Sequence, residues 1–448
     1  MRRREPAVTE TGLVEALNHE GAGVVRAGKT AFVVGALPGE TVSFIRRRHH
    51  RQHDDAELVA VQVPSSERVA PRCAHFGVCG GCALQHLDSA AQLAIKEQQL
   101  RETLERIGRV TPQSWLSPLQ GPQWQYRRRA RLGARYVRAQ GRSMVGFRER
   151  FSTQVAALDR CEVLAAPVDA LVEPLGTLLT QLSIRERVPQ IEVAVADNAV
   201  VLTIRVLDAP SAADQDLLLN FERQHQVRVY LQPAGLSSIR PLREPLVELE
   251  YSLPEFGVRL QFEPSDFIQI NAELNRSLVG AVVELLELND QSCVLDLFCG
   301  LGNFTLPLAR RAAQVVGVEG EASLVARART NAIRNGISNA EFFSANLVPV
   351  DPADAVFGAA PWAGRRYSHV LLDPPRVGAR EVLPLLARVG AQRVVYVSCH
   401  PGSLARDLGI LVNEMGFELL AAGVADMFPQ TAHVESIAVL TAAPRNTR

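Results

Sequence analysis

Two short stretches near the carboxyl end of the chain join strand-forming residues to groups that can do covalent chemistry. In YVSCH, residues 396–400, the thiol of Cys399 follows an apolar run. In HVLLDPPR, residues 369–376, the carboxylate of Asp373 follows another apolar run. Cysteine is often a buried core residue, so Cys399 alone could be a small hydrophobe. Successive parallel strands end at one edge of a sheet, which predicts that Asp373 and Cys399 share a site. We therefore interpret Cys399 as a nucleophile.

A glycine-rich turn, VLDLFCGLGNF at residues 294–304, follows another apolar run. Gly300 and Gly302 let the backbone approach a ligand at the carboxyl end of that strand. Thr305 stands where the dinucleotide fingerprint needs a third glycine, so that motif is not met. Asp296, the turn and Glu319 together resemble class I S-adenosylmethionine methyltransferases, and a carboxylate at Glu319 can bind ribose hydroxyls. The alternative is another nucleotide-binding enzyme.

Four cysteines form a second constellation. Three stand in CAHFGVCGGC, residues 73–82, and the fourth in LDRCEVL far downstream. The two residues between the second and third sulfurs let one tight turn present both to a metal, and glycines at 80 and 81 permit that turn. The spacing departs from the radical-enzyme pattern, while four thiolates suit either tetrahedral zinc or a four-iron cluster. Unliganded core cysteines are the alternative for this set: Cys73, Cys79, Cys82 and Cys161.

The net charge of zero conceals an asymmetry along the chain. Residues 1–150 hold 24 Lys and Arg against 14 Asp and Glu, a net charge of +10. The positive charge comes in runs at 2–4, 46–51 and 127–150, and the last run contains Tyr126, Tyr136 and Phe147 within it or at its edge. Basic patches with aromatic side chains favour a nucleic-acid partner, with a solvated surface as the alternative.

Composition limits the class of protein. The chain has 448 residues, of which 47% are hydrophobic and 21% charged, which is typical of a globular protein with several domains. No apolar run reaches about 18 residues, and no apolar stretch follows the basic start, so we expect neither a membrane span nor a signal peptide. Seven clustered cysteines fit a reducing compartment, which predicts a cytoplasmic protein.

The elements that position these groups follow from apolar periodicity. Residues 11–62 alternate apolar and polar, which predicts a small antiparallel barrel. Residues 89–107 form an amphipathic helix that Asp88 or Ser89 can cap, with Leu93, Leu100, Leu104 and Ile107 on one face. Short strands follow between about 120 and 285, and alternating strands and helices from 286 predict a mostly parallel sheet. We expect a multidomain α/β protein with domains at 1–65, 66–285 and 286–448.

Several motifs in one order resemble the RNA uracil-C5 methyltransferases, in particular those that act on 23S rRNA. They are GKTAFVVGALPGE, CGGCALQH, FEPSDFIQIN, LDLFCGLGNF, LLDPPRVGA, VSCHP and HVESI, and they run nearly end to end. The resemblance implies a TRAM (OB-like) RNA-binding barrel and a Rossmann-like class I methyltransferase domain. It also implies a [4Fe-4S] cluster on the four cysteines, Cys399 as nucleophile and Glu435 as base. The implied S-adenosyl-L-methionine contacts are Gln269, Phe298, Asn303, Glu319, Asn346 and Asp373.

One residue departs from the family pattern. His400 stands where these enzymes usually have Asn, which leaves the tuning of the neighbouring thiol open. The implied activity is methyl transfer from S-adenosylmethionine to C5 of a uridine through a bond between cysteine and C6, by a monomer. Two alternatives remain: a tRNA uracil-C5 methyltransferase, or an RNA-binding protein with a methyltransferase-like fold and no catalysis.

Overall fold

The computed structural model describes residues 8–26, 28–348 and 360–443, so the arginine run at 2–4 lies outside the described residues. Its first element is a closed five-stranded barrel with neighbouring strands in the order β1-β2-β3-β5-β4. Val14, Val33 and Phe44 are among the buried side chains that fill it, as the period of two predicts. The predicted barrel is confirmed, but it is not antiparallel throughout, because β3 and β5 pair in parallel where β4 is placed on the far side of β5. Its strands are β1 (Thr9–Leu17), β2 (Gly23–Val25), β3 (Thr30–Val34), β4 (Thr41–His49) and β5 (His53–Val63).

The predicted amphipathic helix is present as α1 (Ser89–Thr103), and Asp88 caps it by accepting a hydrogen bond from the Ala90 N–H. One π-helical turn (Leu104–Gly108) continues it. That turn is wider than an α-helical turn, so the residue spacing that defines the apolar face changes within it. Leu104 stays buried, but Ile107 is 56% exposed. The prediction that Ile107 shares the buried face was therefore wrong.

The middle of the chain builds a six-stranded sheet, in the order β12-β11-β10-β9-β7-β8, and a two-stranded sheet of β13 and β14. The short strands predicted between 120 and 285 are confirmed. The strands are β7 (Arg129–Val137), β8 (Arg142–Gly146), β9 (Gln190–Val195), β10 (Val200–Arg205), β11 (Arg228–Gln232), β12 (Arg240–Pro241), β13 (Leu249–Leu253) and β14 (Val258–Phe262); β6 (Ser114–Trp115) precedes them. Two helices accompany them, α2 (Val172–Gln181) and α3 (Ala212–His225).

The last part of the chain forms most of an eight-stranded sheet in the order β17-β16-β15-β18-β19-β21-β20-β6. Its parallel strands are β15 (Cys293–Leu297), β16 (Gln314–Glu319), β17 (Ala340–Ser344), β18 (His369–Leu372) and β19 (Arg393–Ser398). Strand β20 (Phe417–Ala425) runs in the same direction, and β21 (Glu435–Ala442), which lies between β19 and β20, is antiparallel to both. The helices are α4 (Ala272–Leu285), α5 (Thr305–Ala309), α6 (Ala322–Arg334), α7 (Leu383–Val389) and α8 (Pro401–Asn413). The predicted mostly parallel sheet is confirmed.

Helices cover both faces of this sheet. Val294 belongs to a buried cluster that includes α4 and α6 side chains, while the next residue, Leu295, belongs to one that includes α1, α7 and α8 side chains. Strands buried on both faces are near-continuously apolar, which explains VLDL and VVYV. Among the described residues, no helix has the length and apolar character needed to cross a bilayer.

Candidate active site and cysteine centre

The glycine turn lies where β15 leaves the sheet. Phe298, Gly300 and Gly302 all have positive φ angles, of 67°, 55° and 97°, a region that glycine adopts without strain. The Gly300 N–H donates a hydrogen bond of 3.1 Å to Oε2 of Glu319, and the Glu321 N–H donates one of 3.0 Å to Oε1. The carboxylate of Glu319 is therefore fixed at the end of β16, beside the turn.

Asp296 lies under this turn and is fully buried. Thr305 Oγ1 donates a hydrogen bond of 2.5 Å to its Oδ2. Burial raises the pKa of Asp296 to about 8, and the charges of Asp373 and Glu319 add to the rise. Burial also raises the pKa of Asp373 to about 7, with Glu319 as the second cause. The three carboxyl groups thus lie close enough for their charges to interact, and a cation near them would stabilise their ionised forms.

All six residues expected to contact the cofactor line one cleft of about 620 Å³. Asn303 Oδ1 accepts hydrogen bonds of 2.9 Å from Tyr251 Oη and from Asn275 Nδ2, which fixes its amide. The Asn346 side chain is exposed, and its Oδ1 accepts a bond of 3.1 Å from the Val348 N–H. Gln269 is half-buried in the stretch that leads from β14 into α4.

The same cleft reaches the two residues expected to act on the substrate, Cys399 and Glu435. Cys399 directly follows β19 and Glu435 begins β21; these strands are antiparallel and pair Ser398 with Ser436. That register brings the thiol and the carboxyl together at one end of the strand pair. Asp373, which follows β18, faces the same cleft.

Burial dominates the electrostatics of this pair. It raises the pKa of Cys399 to about 11, and the negative charges of Glu435 and Asp373 add to the rise, while Arg376 opposes it. Burial also raises the pKa of Glu435 well above its usual range, with Asp373 as the second cause. Burial therefore favours the neutral form of both groups, and a positive charge in the cleft would lower both pKa values.

His400 caps a helix in this structure. Its Nδ1 accepts a hydrogen bond of 3.1 Å from the Ser403 N–H at the start of α8, and its side chain is the N-cap of that helix. Asn is a preferred N-cap residue for the same reason. His400 thus occupies an N-cap position for which Asn is also suited.

A second cleft, of about 850 Å³, also reaches Cys399. Its walls come from the barrel, the cysteine-bearing stretch and the start of α8. Arg376, Cys399 and His433 line both clefts. Sequence patterns did not reveal this cleft, because its walls come from stretches that are distant in the chain.

The aromatic residues of the two clefts differ from those expected to stack on bases. Tyr126 is only 3% exposed, and its hydroxyl donates to the Pro429 carbonyl at 2.8 Å, so the expectation that it contacts nucleic acid was wrong. Phe147 packs beside the cysteines. The exposed aromatics are Phe151 in the second cleft and Phe267 in the first. Phe267 belongs to the FEPSDFIQIN motif, which was the available signal.

The four cysteines converge around one small space and form no disulfide. A side chain at Gly80 would meet the Arg148 carbonyl at 2.9 Å, and one at Gly81 would meet the Phe147 ring at 3.0 Å. Gly80 is therefore needed for the close approach of these two backbone segments, and a side chain at Gly81 would require the Phe147 ring to shift. Burial raises the pKa of Cys79 to about 11 and of Cys82 to about 12. Thiolates at these positions need a cation beside them.

A parallel sheet with a glycine turn, carboxyl groups at neighbouring strand ends and an adjacent thiol defines an α/β enzyme of the class I methyltransferase type. Along its sequence the chain matches the tRNA (Uracil-5-)-methyltransferase family over residues 88–443. That match covers well over half of the chain, and the chain belongs to this family.

Curated relatives match over nearly their whole length. The 23S rRNA (uracil(1939)-C(5))-methyltransferase RlmD of Stenotrophomonas maltophilia is 49% identical over 94% of this chain and 95% of its own. The protein of the same name from Alkalilimnicola ehrlichii is 49% identical over 98% of both chains. Among solved structures, the Pyrococcus abyssi tRNA (uracil-54, C5)-methyltransferase with S-adenosyl-L-homocysteine matches 96% of this chain and 99% of its own, with 24% identity and a TM-score of 0.73. This last likeness shows a shared fold.

Proposed function

We propose that the protein transfers a methyl group from S-adenosylmethionine to C5 of a uridine in 23S rRNA. The observation that carries the proposal is that two clefts meet at Cys399, one lined by the glycine turn and Glu319, the other by the barrel and the start of α8. A nucleophile at such a junction can contact a base from one side while the methyl donor lies on the other. The ribosomal substrate comes from the curated relatives, which match nearly end to end.

The residues of the first cleft fit S-adenosylmethionine. The carboxylate of Glu319, held by two backbone N–H groups, is placed to accept hydrogen bonds from ribose hydroxyls. Burial raises the pKa values of the Asp373 and Glu435 carboxyl groups, and a sulfonium in the cleft would stabilise their ionised forms. When bound, the cofactor supplies an electrophilic methyl group. Its positive charge also lowers the pKa of the nearby thiol and carboxyl groups.

The chain's own residues explain how an unreactive carbon becomes a nucleophile. The thiolate of Cys399 adds to C6 of uracil, and the electron pair of the C5–C6 bond moves onto the ring as an enolate. C5 then bonds to the methyl carbon while the bond between that carbon and the donor's sulfur breaks, and S-adenosylhomocysteine leaves. The carboxylate of Glu435 removes the C5 proton, the C5–C6 double bond re-forms, and the bond to sulfur breaks. Because these atoms are stacked in a duplex, the target uridine must be single-stranded or flipped out.

The runner-up is a tRNA substrate, which the family name and the Pyrococcus abyssi enzyme suggest. The two substrates are separated by mapping 5-methyluridine at nucleotide resolution in rRNA and tRNA from a strain that lacks the gene. We expect the loss of one 23S rRNA site with tRNA unchanged. Loss confined to tRNA would overturn the ribosomal assignment, and transfer of no methyl group to any RNA by the purified protein would favour a pure binding role.

We also propose that Cys73, Cys79, Cys82 and Cys161 hold a [4Fe-4S] cluster. A tetrahedral zinc ion with Zn–S bonds of about 2.3 Å requires sulfur atoms about 3.8 Å apart. All four cysteines are within the described part of the chain, yet no three of their sulfur atoms lie within 4.8 Å of one another. A cubane cluster, with an iron at each ligated corner, spreads its thiolates more widely.

Protein purified without oxygen should be brown and contain about four iron and four labile sulfide per chain. Stoichiometric zinc without iron would contradict the cluster. The cluster is structural in this proposal, so methyl transfer that followed its oxidation state would contradict that role.

We further propose that the protein acts as a cytoplasmic monomer, with residues 1–65 as a TRAM-type RNA-binding barrel, 66–285 as the cluster-bearing domain and 286–448 as the methyltransferase domain.

A further inference from the structure

The stretch between β20 and β21, residues 426–434, forms a wall between the two clefts, and we name it the dividing segment. Phe428 lines the first cleft, Thr431 the second, and His433 both. Its end leads directly into Glu435, which is 3% exposed. The placement of the proposed base therefore depends on what holds this segment.

Helix α1 holds the dividing segment through two buried polar side chains. Lys96 is 1% exposed, and its Nζ donates hydrogen bonds of 2.6 Å to Asp426 Oδ1 and 3.1 Å to the Phe428 carbonyl. Gln92 is 3% exposed and makes two bonds of 3.1 Å with Gln430, one from its Nε2 to Oε1 and one from the Gln430 N–H to its Oε1.

The cysteine-bearing stretch holds the same segment through its backbone. The N–H groups of Ala83 and Leu84 donate to the Gln430 carbonyl at 2.8 and 3.0 Å. Ala83 directly follows Cys82, so one peptide links the cysteine centre to the dividing segment. Gln430 has a φ of 67°, a strained value that persists where the surroundings over-determine it.

A buried ion pair is a costly way to gain stability, since well-packed apolar side chains of similar volume often do as well or better. Lys96 gives something that an apolar residue cannot give, because it bonds a side chain and a backbone carbonyl of the same segment at once. Its bonds specify one conformation of residues 426–428. This points to a role in geometry at the catalytic end of the segment.

We propose that Lys96 is a positioning residue that acts through the dividing segment to place the carboxyl of Glu435 for removal of the C5 proton. The inference rests on the proposed function and assigns a residue outside both clefts to one chemical step. Attack by Cys399 precedes that step and does not need the placed carboxyl. Loss of Lys96 therefore slows release of the product more than formation of the cysteine–RNA bond.

The test compares Lys96→Met with Arg228→Met. Arg228 is a matched control, because it contacts the buried carboxylate of Glu222 at 3.5 Å and donates to two backbone carbonyls, in a sheet outside both clefts. Each variant is assayed on uridine RNA for kcat, KM and the fraction of protein in a denaturation-resistant adduct. The same RNA with 5-fluorouridine at the target reports only the steps before proton removal, since fluorine cannot leave as a proton.

We expect Lys96→Met to lower kcat by about 10- to 100-fold, with unchanged KM for RNA and for cofactor. Adduct should accumulate on uridine RNA, while the rate of adduct formation on 5-fluorouridine RNA stays at the wild-type value. Arg228→Met should resemble wild type in all of these. The double variant Lys96→Met/Asp426→Asn should keep the kinetic defect even though no unpaired charge is buried.

Two results would overturn the inference: an equal loss of rate on both RNAs in Lys96→Met, or full activity in the double variant. Failure of the proposed function looks different. In that case the wild-type protein itself forms no adduct with 5-fluorouridine RNA and transfers no methyl group.

Discussion

Asp373 connects the electrostatics of the first cleft to cofactor choice at the scale of single residues. Its carboxyl has a pKa of about 7 because it is buried and faces Glu319. A sulfonium stabilises the ionised form of this carboxyl. At a pH below its pKa, a fraction of the protein molecules must therefore lose the Asp373 proton when S-adenosylmethionine binds. S-adenosylhomocysteine has a similar shape without the charge, which provides a natural comparison.

We predict that affinity for S-adenosylmethionine rises as the pH increases from about 6 to about 8 and the Asp373 carboxyl ionises. Calorimetric titration should show much weaker pH dependence for S-adenosylhomocysteine. The Asp373→Asn variant should lose most of the dependence. Equal pH dependence for the two ligands, or a dependence that persists in Asp373→Asn, would show that other groups control binding.

Several of these residues could be predicted from the sequence because their neighbours in space are fixed by local rules. Asp373 and Cys399 each follow an apolar strand, and parallel strands must end at one edge. The role of Tyr126 could not be predicted in this way. Its ring is buried by contacts with the distant stretch around Pro429, and no local pattern marks such a contact.

At the scale of elements, the cysteine centre and helix α1 converge on the dividing segment. The backbone N–H groups of Ala83 and Leu84 donate hydrogen bonds to the Gln430 carbonyl. Lys96 and Gln92 of α1 form hydrogen bonds with residues of the same segment. A change in the cysteine centre should therefore affect residues 426–434 before it affects the glycine turn, which belongs to β15 and β16.

We predict that removing the proposed cluster from the protein increases hydrogen exchange in peptides from residues 426–434 and leaves exchange in residues 296–305 unchanged. Local opening costs less free energy once the hydrogen-bonded neighbour is disordered. Hydrogen-exchange mass spectrometry of the native and iron-depleted protein checks this. Increased exchange throughout the chain would indicate global unfolding, and no change in 426–434 would show that the centre does not support the segment.

The elements themselves were largely predictable, while their irregularities were not. The barrel, α1 and the parallel sheet follow from periods of about 2 and 3.6 residues. The π-helical turn at Leu104–Gly108 could not be predicted in this way, because its wider turn interrupts the helical period of about 3.6 residues and leaves Ile107 exposed. Lys96 was predictable as part of a helix, but its partners Asp426 and Phe428 lie far downstream in the chain.

At the scale of the whole molecule, the charge asymmetry is reduced by pairing. Arg128, Arg131 and Arg138 form ion pairs with Asp197, Glu192 and Glu186, all beyond residue 150. The basic run at 46–51 extends from β4 of the barrel, next to the second cleft. Arg48 donates to the Phe151 carbonyl and lies over its ring at 5.7 Å. Arg46 and Arg47 of this run are also paired, with Glu10, Asp54 and Glu57, so Arg48 and Arg51 are the candidates at this end of the barrel for contact with RNA phosphates.

We predict that Arg48→Ala and Arg51→Ala each weaken RNA binding and lower the slope of log affinity against log salt by about one for each phosphate that the side chain neutralises. Cofactor affinity should stay at the wild-type value, because the first cleft has no barrel residue in its walls. Arg138→Ala, at an exposed ion pair outside both clefts, is the control and should leave the slope unchanged. An unchanged slope in both barrel variants would assign the barrel another role.

The central claim, that Cys399 bonds to the substrate base and Glu435 completes the reaction, is tested most directly by trapping the intermediate. Each variant is incubated with cofactor and labelled 23S rRNA fragment, then denatured and resolved by gel electrophoresis and mass spectrometry. Glu435→Gln should keep the attack and the methyl transfer but fail to remove the C5 proton, so a methylated protein–RNA adduct accumulates on the peptide that contains residue 399. Cys399→Ala should give no adduct and no 5-methyluridine. An adduct that survives the loss of Cys399, or normal turnover by Glu435→Gln, would contradict the account.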